Sequence, residues 1–198
     1  MSSFDSLINR KMKHTELYVY YGVTTAPINL SVVQNSSNVT LYWLAPLNNG
    51  GYPITSYTVS VTPGNYSVTT SSKNATFTNL SSNLYTFSVV AKNFFGNSPS
   101  SSKSYLVQLL APTSLVATGS GSTSVSIAFQ QTSNGTITNY QYSLDGGNTF
   151  TSFSPSQTSS PVLITGLSTD TTYSIVLRAA NSAGNGLSSS PRVLHTVL

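Results

Sequence analysis

Apolar residues fall at every second position through much of this chain. Val39, Leu41 and Trp43 alternate with Thr40 and Tyr42, and Tyr85, Phe87, Val89 and Ala91 form a second such run. Alternation over five or more residues is the period of a strand with one buried face. Both runs return later: Val125, Ile127 and Phe129 repeat the first, and Tyr173, Ile175, Leu177 and Ala179 repeat the second. The intervening positions correspond as well. Leu30 and Val32 match Leu115 and Ala117; Ile54, Tyr57, Val59 and Val61 match Ile137, Tyr140, Tyr142 and Leu144; Phe77 and Leu80 match Ile164 and Leu167.

Between these runs stand residues that favour turns, among them Pro46–Gly51, Pro63-Gly64-Asn65 and Asp145-Gly146-Gly147-Asn148. Ala26-Pro27 opens the first copy and Ala111-Pro112 the second, 85 positions on. Proline suits the first residue of an edge strand. About seven short strands per copy, with turn signals every 8–12 residues, predict an all-β fold of two tandem antiparallel β-sandwiches. The expected units are 26–110 and 111–198, joined by the short apolar stretch Leu106–Pro112. Trp43, Tyr57, Leu80 and Tyr85 are the expected core of the first, and Phe129, Tyr140, Leu167 and Tyr173 of the second.

Residues 1–25 fit neither copy. Phe4, Leu7, Ile8 and Met12 have helical spacing, and Leu17-Tyr18-Val19-Tyr20-Tyr21 reads as extended. A helix of two or three turns is marginal alone in water. This segment is therefore expected to be an anchoring arm, with Phe4, Leu7, Ile8, Tyr18 and Tyr20 as candidate partner contacts.

Both copies resemble the fibronectin type III domain, an immunoglobulin-like sandwich. The first carries Pro27, Leu30, Trp43, Pro46, the Gly50-Gly51-Tyr52-Pro53-Ile54 turn, Tyr57, Leu80, Tyr85, Ala91, Asn93 and Gly96. The second matches at Pro112, Leu115, Tyr140, Leu167, Tyr173, Ala179, Asn181 and Gly184. It departs by placing Phe129 where the first has tryptophan, and by one extra residue between Leu167 and Tyr173. The resemblance implies tyrosine corners at Tyr85 and Tyr173, each hydroxyl bonded to nearby backbone. It also implies a scaffold, spacer or binding module.

Composition narrows the function. Only 6% of residues are charged, and the net charge of +4 reflects eight basic residues against four acids. Three of the basic residues, Arg10, Lys11 and Lys13, cluster, while the rest are scattered. Nucleic-acid binders gather Lys and Arg into a patch or stripe, so no nucleic-acid partner is expected. With no cysteine, disulfides and thiolate metal sites are excluded. No run approaches the ~18 apolar residues of a membrane span, and no apolar core follows a basic start near Met1, so no secretory signal is expected.

Catalysis needs convergent ionisable groups. Asp5, Glu16, Asp145 and Asp170 with His14 and His195 form no evident serine–histidine–acid or paired-carboxylate set. Asp145–Asn148 reads as a hairpin turn rather than a calcium loop, which needs several oxygen ligands. The expectation is a non-enzyme without cofactor or metal.

One local feature exceeds what the fold needs. Phe94-Phe95 stands between the last two strands of the first copy, where the second has Ser182-Ala183. These two phenylalanines are candidate partner contacts. The charge-poor, cysteine-free, Ser/Thr/Asn/Tyr-rich composition is similar to that of minor structural proteins of large icosahedral DNA viruses. The expected role is thus a minor capsid or virion component that links neighbouring subunits. The alternative is an adhesive or carbohydrate-binding module at a cell surface or outside the cell, with Tyr42 or Phe94 stacking on sugars.

Overall fold

The computed structural model describes residues 21–197. The candidate arm contacts Phe4, Leu7, Ile8, Tyr18 and Tyr20 lie outside the described residues.

The fold is all-β, two sandwiches in tandem. The first comprises β1 (Ile28–Asn35), β2 (Asn38–Leu44), β3 (Ser56–Thr62), β4 (Tyr66–Thr70), β5 (Asn74–Thr78), β6 (Asn83–Asn93), β7 (Gly96–Asn97) and β8 (Ser101–Val107). The second comprises β9 (Thr113–Ser120), β10 (Ser124–Gln130), β11 (Asn139–Ser143), β12 (Thr151–Ser152), β13 (Val162–Thr165), β14 (Thr172–Asn181), β15 (Gly184–Ser188) and β16 (Arg192–His195). One sheet of the first sandwich has the order β1-β2-β5, and the other β4-β3-β6-β7 with β8 also on β6. The second sandwich repeats this as β13-β10-β9 against β12-β11-β14-β15, with β16 on β14. No helix among the described residues is long and apolar enough to cross a membrane.

The alternating positions form the cores. Val39, Leu41, Trp43, Tyr57, Val59, Val61, Leu80, Tyr85, Phe87, Val89 and Ala91 are buried in the first sandwich. In the second, Leu109, Val125, Ile127, Phe129, Tyr140, Ile164, Leu167, Ile175, Leu177 and Ala179 make one cluster. Tyr173 is only half-buried, packing against that cluster. The two central aromatics are set alike. Trp43 meets Tyr57 edge-on at 5.3 Å and 63°, and Phe129 meets Tyr140 at 4.8 Å and 69°. Burial raises the pKa of both tyrosines, Tyr140 to about 12.

The expected tyrosine corner is seen at Tyr173, whose hydroxyl accepts the Ser168 N–H at 2.8 Å. At Tyr85 the hydroxyl shares a 3.1 Å bond with the Ser81 Oγ, so a side chain joins the motif there.

Each copy ends in a broken strand rather than one continuous final strand. Prolines interrupt the ladder: Pro99 lies between β7 and β8, and Pro191 between β15 and β16. A proline has no N–H to donate. At each break a buried serine supplies the missing pairing. The Ser98 N–H donates to the Ala91 carbonyl at 2.8 Å, and the Ala91 N–H donates to the Ser98 Oγ at 3.0 Å. Ser189 and Leu177 repeat the exchange at 2.8 and 3.0 Å. These two serines are structural, although serine in this chain reads as bulk polarity.

Candidate functional site

Four exposed aromatics of the first sandwich gather at one end. The β2–β3 connection carries Tyr52, the β6–β7 turn carries Phe94 and Phe95, and Tyr21 precedes β1. Tyr52 stacks on Phe94 with centroids 5.4 Å apart and planes at 23°. It meets Phe95 edge-on at 5.1 Å and Tyr21 at 5.6 Å. Phe94 and Phe95 are mutually perpendicular at 5.4 Å and 86°. Such pairs contribute about 0.5–1.5 kcal/mol each beyond burial. The cluster nevertheless stays open to solvent: Phe94 is 76% exposed and Phe95 45%.

Asn93 holds this end together. It is buried, and its Nδ2 donates to the Gly22 carbonyl at 2.7 Å and to the Asn49 carbonyl at 2.9 Å. Its Oδ1 accepts the Phe95 N–H at 2.9 Å, which shapes the turn. One side chain thus joins the lead-in segment, the β2–β3 connection and the aromatic turn. The lead-in is also fixed by backbone: Gly22 N–H donates to the Gly50 carbonyl at 3.0 Å, and Thr25 N–H to the Asn48 carbonyl at 2.9 Å. Gly50 has φ +68°, and a Cβ there would lie 2.0 Å from the Gly22 oxygen. Glycine is required by both conformation and approach. The end of the expected arm, residues 21–25, therefore packs on its own sandwich.

The second copy keeps this turn without its aromatics. Asn181 Oδ1 accepts the N–H groups of Ala183 and Gly184 at 3.0 and 3.1 Å. The asparagine belongs to the fold, and Phe94 and Phe95 are additions to it. Sequence reasoning found those two. It read Tyr52 only as part of a turn, although the sandwich topology places the β2–β3 and β6–β7 connections at the same end.

Two polar groups of the second sandwich were singled out by chemistry. The Asp145 carboxylate accepts the Ser143 hydroxyl at 2.6 Å, the Thr149 hydroxyl at 2.6 Å, and the N–H groups of Asn148 and Thr149 at 3.0 Å. These donors, the Ser143 hydroxyl first, hold its pKa well below the usual 3.8. Both oxygens are engaged by donors of their own turn, as the hairpin reading requires. A lowered carboxylate pKa stabilises the folded turn above about pH 4 and loses that contribution as pH falls further. Protection of the Asn148 and Thr149 amides, relative to their intrinsic exchange rates, is expected to fall progressively as pH drops below about 4. In Asp145→Asn protection should be lower at neutral pH and show no such dependence.

His195 is brought into an arrangement not evident in the sequence. Its Nε2 lies 3.0 Å from Asp170 Oδ1, and its Nδ1 lies 2.9 Å from Thr172 Oγ1. The order hydroxyl–imidazole–carboxylate resembles a hydrolytic relay. Its geometry follows from register, because Thr172 and His195 are directly paired across β14 and β16. The imidazole and carboxylate side chains are 56% and 65% exposed, and the set joins the β13–β14 connection to the final strand at the surface.

The geometry defines a pair of sandwiches, each with seven strand positions of which the last is broken in two, and the elaborated feature is a loop-end aromatic cluster. A sequence profile of the fibronectin type III domain matches residues 25–107 and again residues 110–195. The chain belongs to the fibronectin type III family. No curated protein matches it. Among solved structures it is similar to a two-domain fibronectin type III segment of chicken tenascin, with 14% identity and a TM-score of 0.57 over 86% of this chain and 99% of that one. It is also similar to the FN1–FN3 domains of chicken CNTN1, with 19% identity and a TM-score of 0.40 over 90% of this chain and 69% of that one.

Proposed function

We propose that this chain is a structural interaction module of a large assembly, a capsid or virion component that engages a neighbouring structural protein through the Tyr52–Phe94–Phe95 end. Domains of this family are typically non-catalytic modules of protein interaction or adhesion. The observation that carries the reading is Phe94, which is 76% exposed while held by a stack and an asparagine-shaped turn. A large apolar ring fixed in solvent loses little conformational freedom on binding, which favours it as an anchor. The charge-poor, Ser/Thr/Asn/Tyr-rich composition supports the assembly setting.

The test places a photo-crosslinking phenylalanine analogue at position 94, with one at Tyr42 as control. Purified particles should contain the chain by mass spectrometry and show crosslinks from position 94 to a structural protein. Phe94→Ser removes its two ring pairs with Tyr52 and Phe95, so it should lower stability by no more than about 1–3 kcal/mol and leave the sandwich folded. It should weaken the contact about tenfold or more, as expected for an anchor. Particles that lack the chain would overturn the proposal.

A second reading is favoured by one geometry. The near-parallel Tyr52–Phe94 stack is a platform of the kind a sugar face covers. It makes the chain an adhesive module at a surface, and glycan binding lost in Phe94→Ala would select it.

A further inference from the structure

A second surface, independent of the aromatic end, lies on the edge strand β4. It pairs with β3 on one side and ends the sheet on the other. In the register, Tyr66 stands opposite Val61, Val68 opposite Val59 and Thr70 opposite Tyr57. Directly opposed residues share a face, so Tyr66, Val68 and Thr70 point to the side where Val61, Val59 and Tyr57 are buried. Yet Tyr66 is 41% and Val68 38% exposed. The core-side face of β4 therefore overhangs the sandwich and leaves apolar surface uncovered.

Proteins usually blunt such an edge with charge, proline, a bulge or a very short strand. The other edges of this chain follow that rule. Lys103 lies in β8 and Arg192 in β16; Pro27, Pro112 and Pro161 precede β1, β9 and β13. The apolar residues of β5, Ala75 and Phe77, are turned into the core. The strand equivalent to β4 in the second sandwich, β12, has only two residues. By contrast, Tyr66-Ser67-Val68-Thr69-Thr70 has five residues, no charge, no glycine, no proline and an unbroken register with β3.

From these observations we infer that β4 pairs antiparallel with β4 of a second copy of this chain, joining two sheets edge to edge. The strand is its own complement. A two-fold axis at Val68 sets Val68 against Val68 of the second copy, Tyr66 against Thr70, and Ser67 against Thr69. Aromatic–β-branched and hydroxyl–hydroxyl pairs are favourable across antiparallel strands. No like charges meet across the axis, and with 6% charged residues long-range repulsion between copies is small. A five-residue strand pair buries less than the ~1,200 Å² of a stable interface, so the contact is weak and concentration-dependent. That strength suits a part that repeats, where many weak contacts act together.

Sedimentation equilibrium of the whole chain up to about millimolar concentration tests this. The expected result is a monomer–dimer equilibrium, with β4 amides exchanging more slowly as concentration rises. Val68→Lys should weaken association at least tenfold with the circular dichroism spectrum and melting temperature kept. Thr69→Lys, on the outer face, serves if Val68→Lys disturbs folding. Val116→Lys, at an exposed valine of β9, should associate like the wild type. A chain monomeric at every concentration overturns the inference. So does association that survives both β4 lysines, or that disappears only when residues 1–20 are deleted.

Discussion

Trp43→Ala is expected to cost the first sandwich about 3–5 kcal/mol, the range for deleting a buried indole. Small domains hold about 5–15 kcal/mol in total, so the variant should be partly or largely unfolded at physiological temperature. Each kcal/mol lowers the melting temperature of a domain this size by roughly 4–8 °C. The mechanism is a cavity at the centre of the sheet pair, where Trp43 is 3% exposed and set edge-on to Tyr57. Val59 and Val61, on the same strand as Tyr57, are fully buried, and a close-packed sheet collapses little into such a space.

Trp43→Phe should behave differently. Among the described residues Trp43 Nε1 is buried without a hydrogen-bond partner, and an unmet donor costs about 1–3 kcal/mol. Phenylalanine removes that donor and keeps one aromatic ring against Tyr57. The second copy already uses this solution, with Phe129 against Tyr140. Trp43→Phe should therefore lose far less stability than Trp43→Ala. Calorimetry measures both losses, and amide exchange should confine the alanine effect to the first sandwich, β1–β8. An alanine variant as stable as the phenylalanine variant would show that packing at this centre is not what holds the sheets together.

The sandwich architecture was legible because its cause is local and repeated. Alternation placed Trp43, Tyr57, Phe129 and Tyr140, and comparison between copies separated what the fold needs from what it does not. That comparison also isolated Phe94 and Phe95, since no folding constraint calls for two phenylalanines where the second copy has Ser182-Ala183. Ser98 and Ser189 were hidden for a physical reason. Their role depends on a strand break set by a nearby proline and on which carbonyl then faces them, and neither is encoded at the serine itself. The Thr172–His195–Asp170 set was equally hidden. Its members meet through strand register across more than twenty residues, and a one-residue slip would have turned them to opposite faces. Tyr52 was half-legible, as a turn residue whose neighbour in space lies on another loop.

Asn93→Ala is the second large effect expected, about 2–3 kcal/mol. Three hydrogen bonds are lost from a side chain that is 2% exposed, and each polar group left buried without a partner costs about 1–3 kcal/mol. The total stays below the sum because loop carbonyls can turn toward water. The consequence for the site is larger than for the core. Without Asn93 the Phe95 turn and the Gly22 segment are no longer tied, and Phe94 loses the fixed pose against Tyr52. Amide exchange at Gly22, Gly50 and Phe95 should accelerate together, and contact through position 94 should fall with it. Asn93→Asp discriminates between size and chemistry. It keeps the acceptor for the Phe95 N–H but aims a carboxylate at two carbonyl oxygens, so at neutral pH it should be at least as damaging as alanine. Protonation relieves that repulsion, and its stability should recover partly as pH falls through a raised carboxyl pKa. Asn181→Ala is the control, because it undoes the equivalent turn of the second sandwich while leaving the aromatic end intact. If Asn93→Ala left contact through position 94 unchanged, the pose of Phe94 would be set by its ring contacts alone, and its value as a pre-arranged anchor would rest on Tyr52.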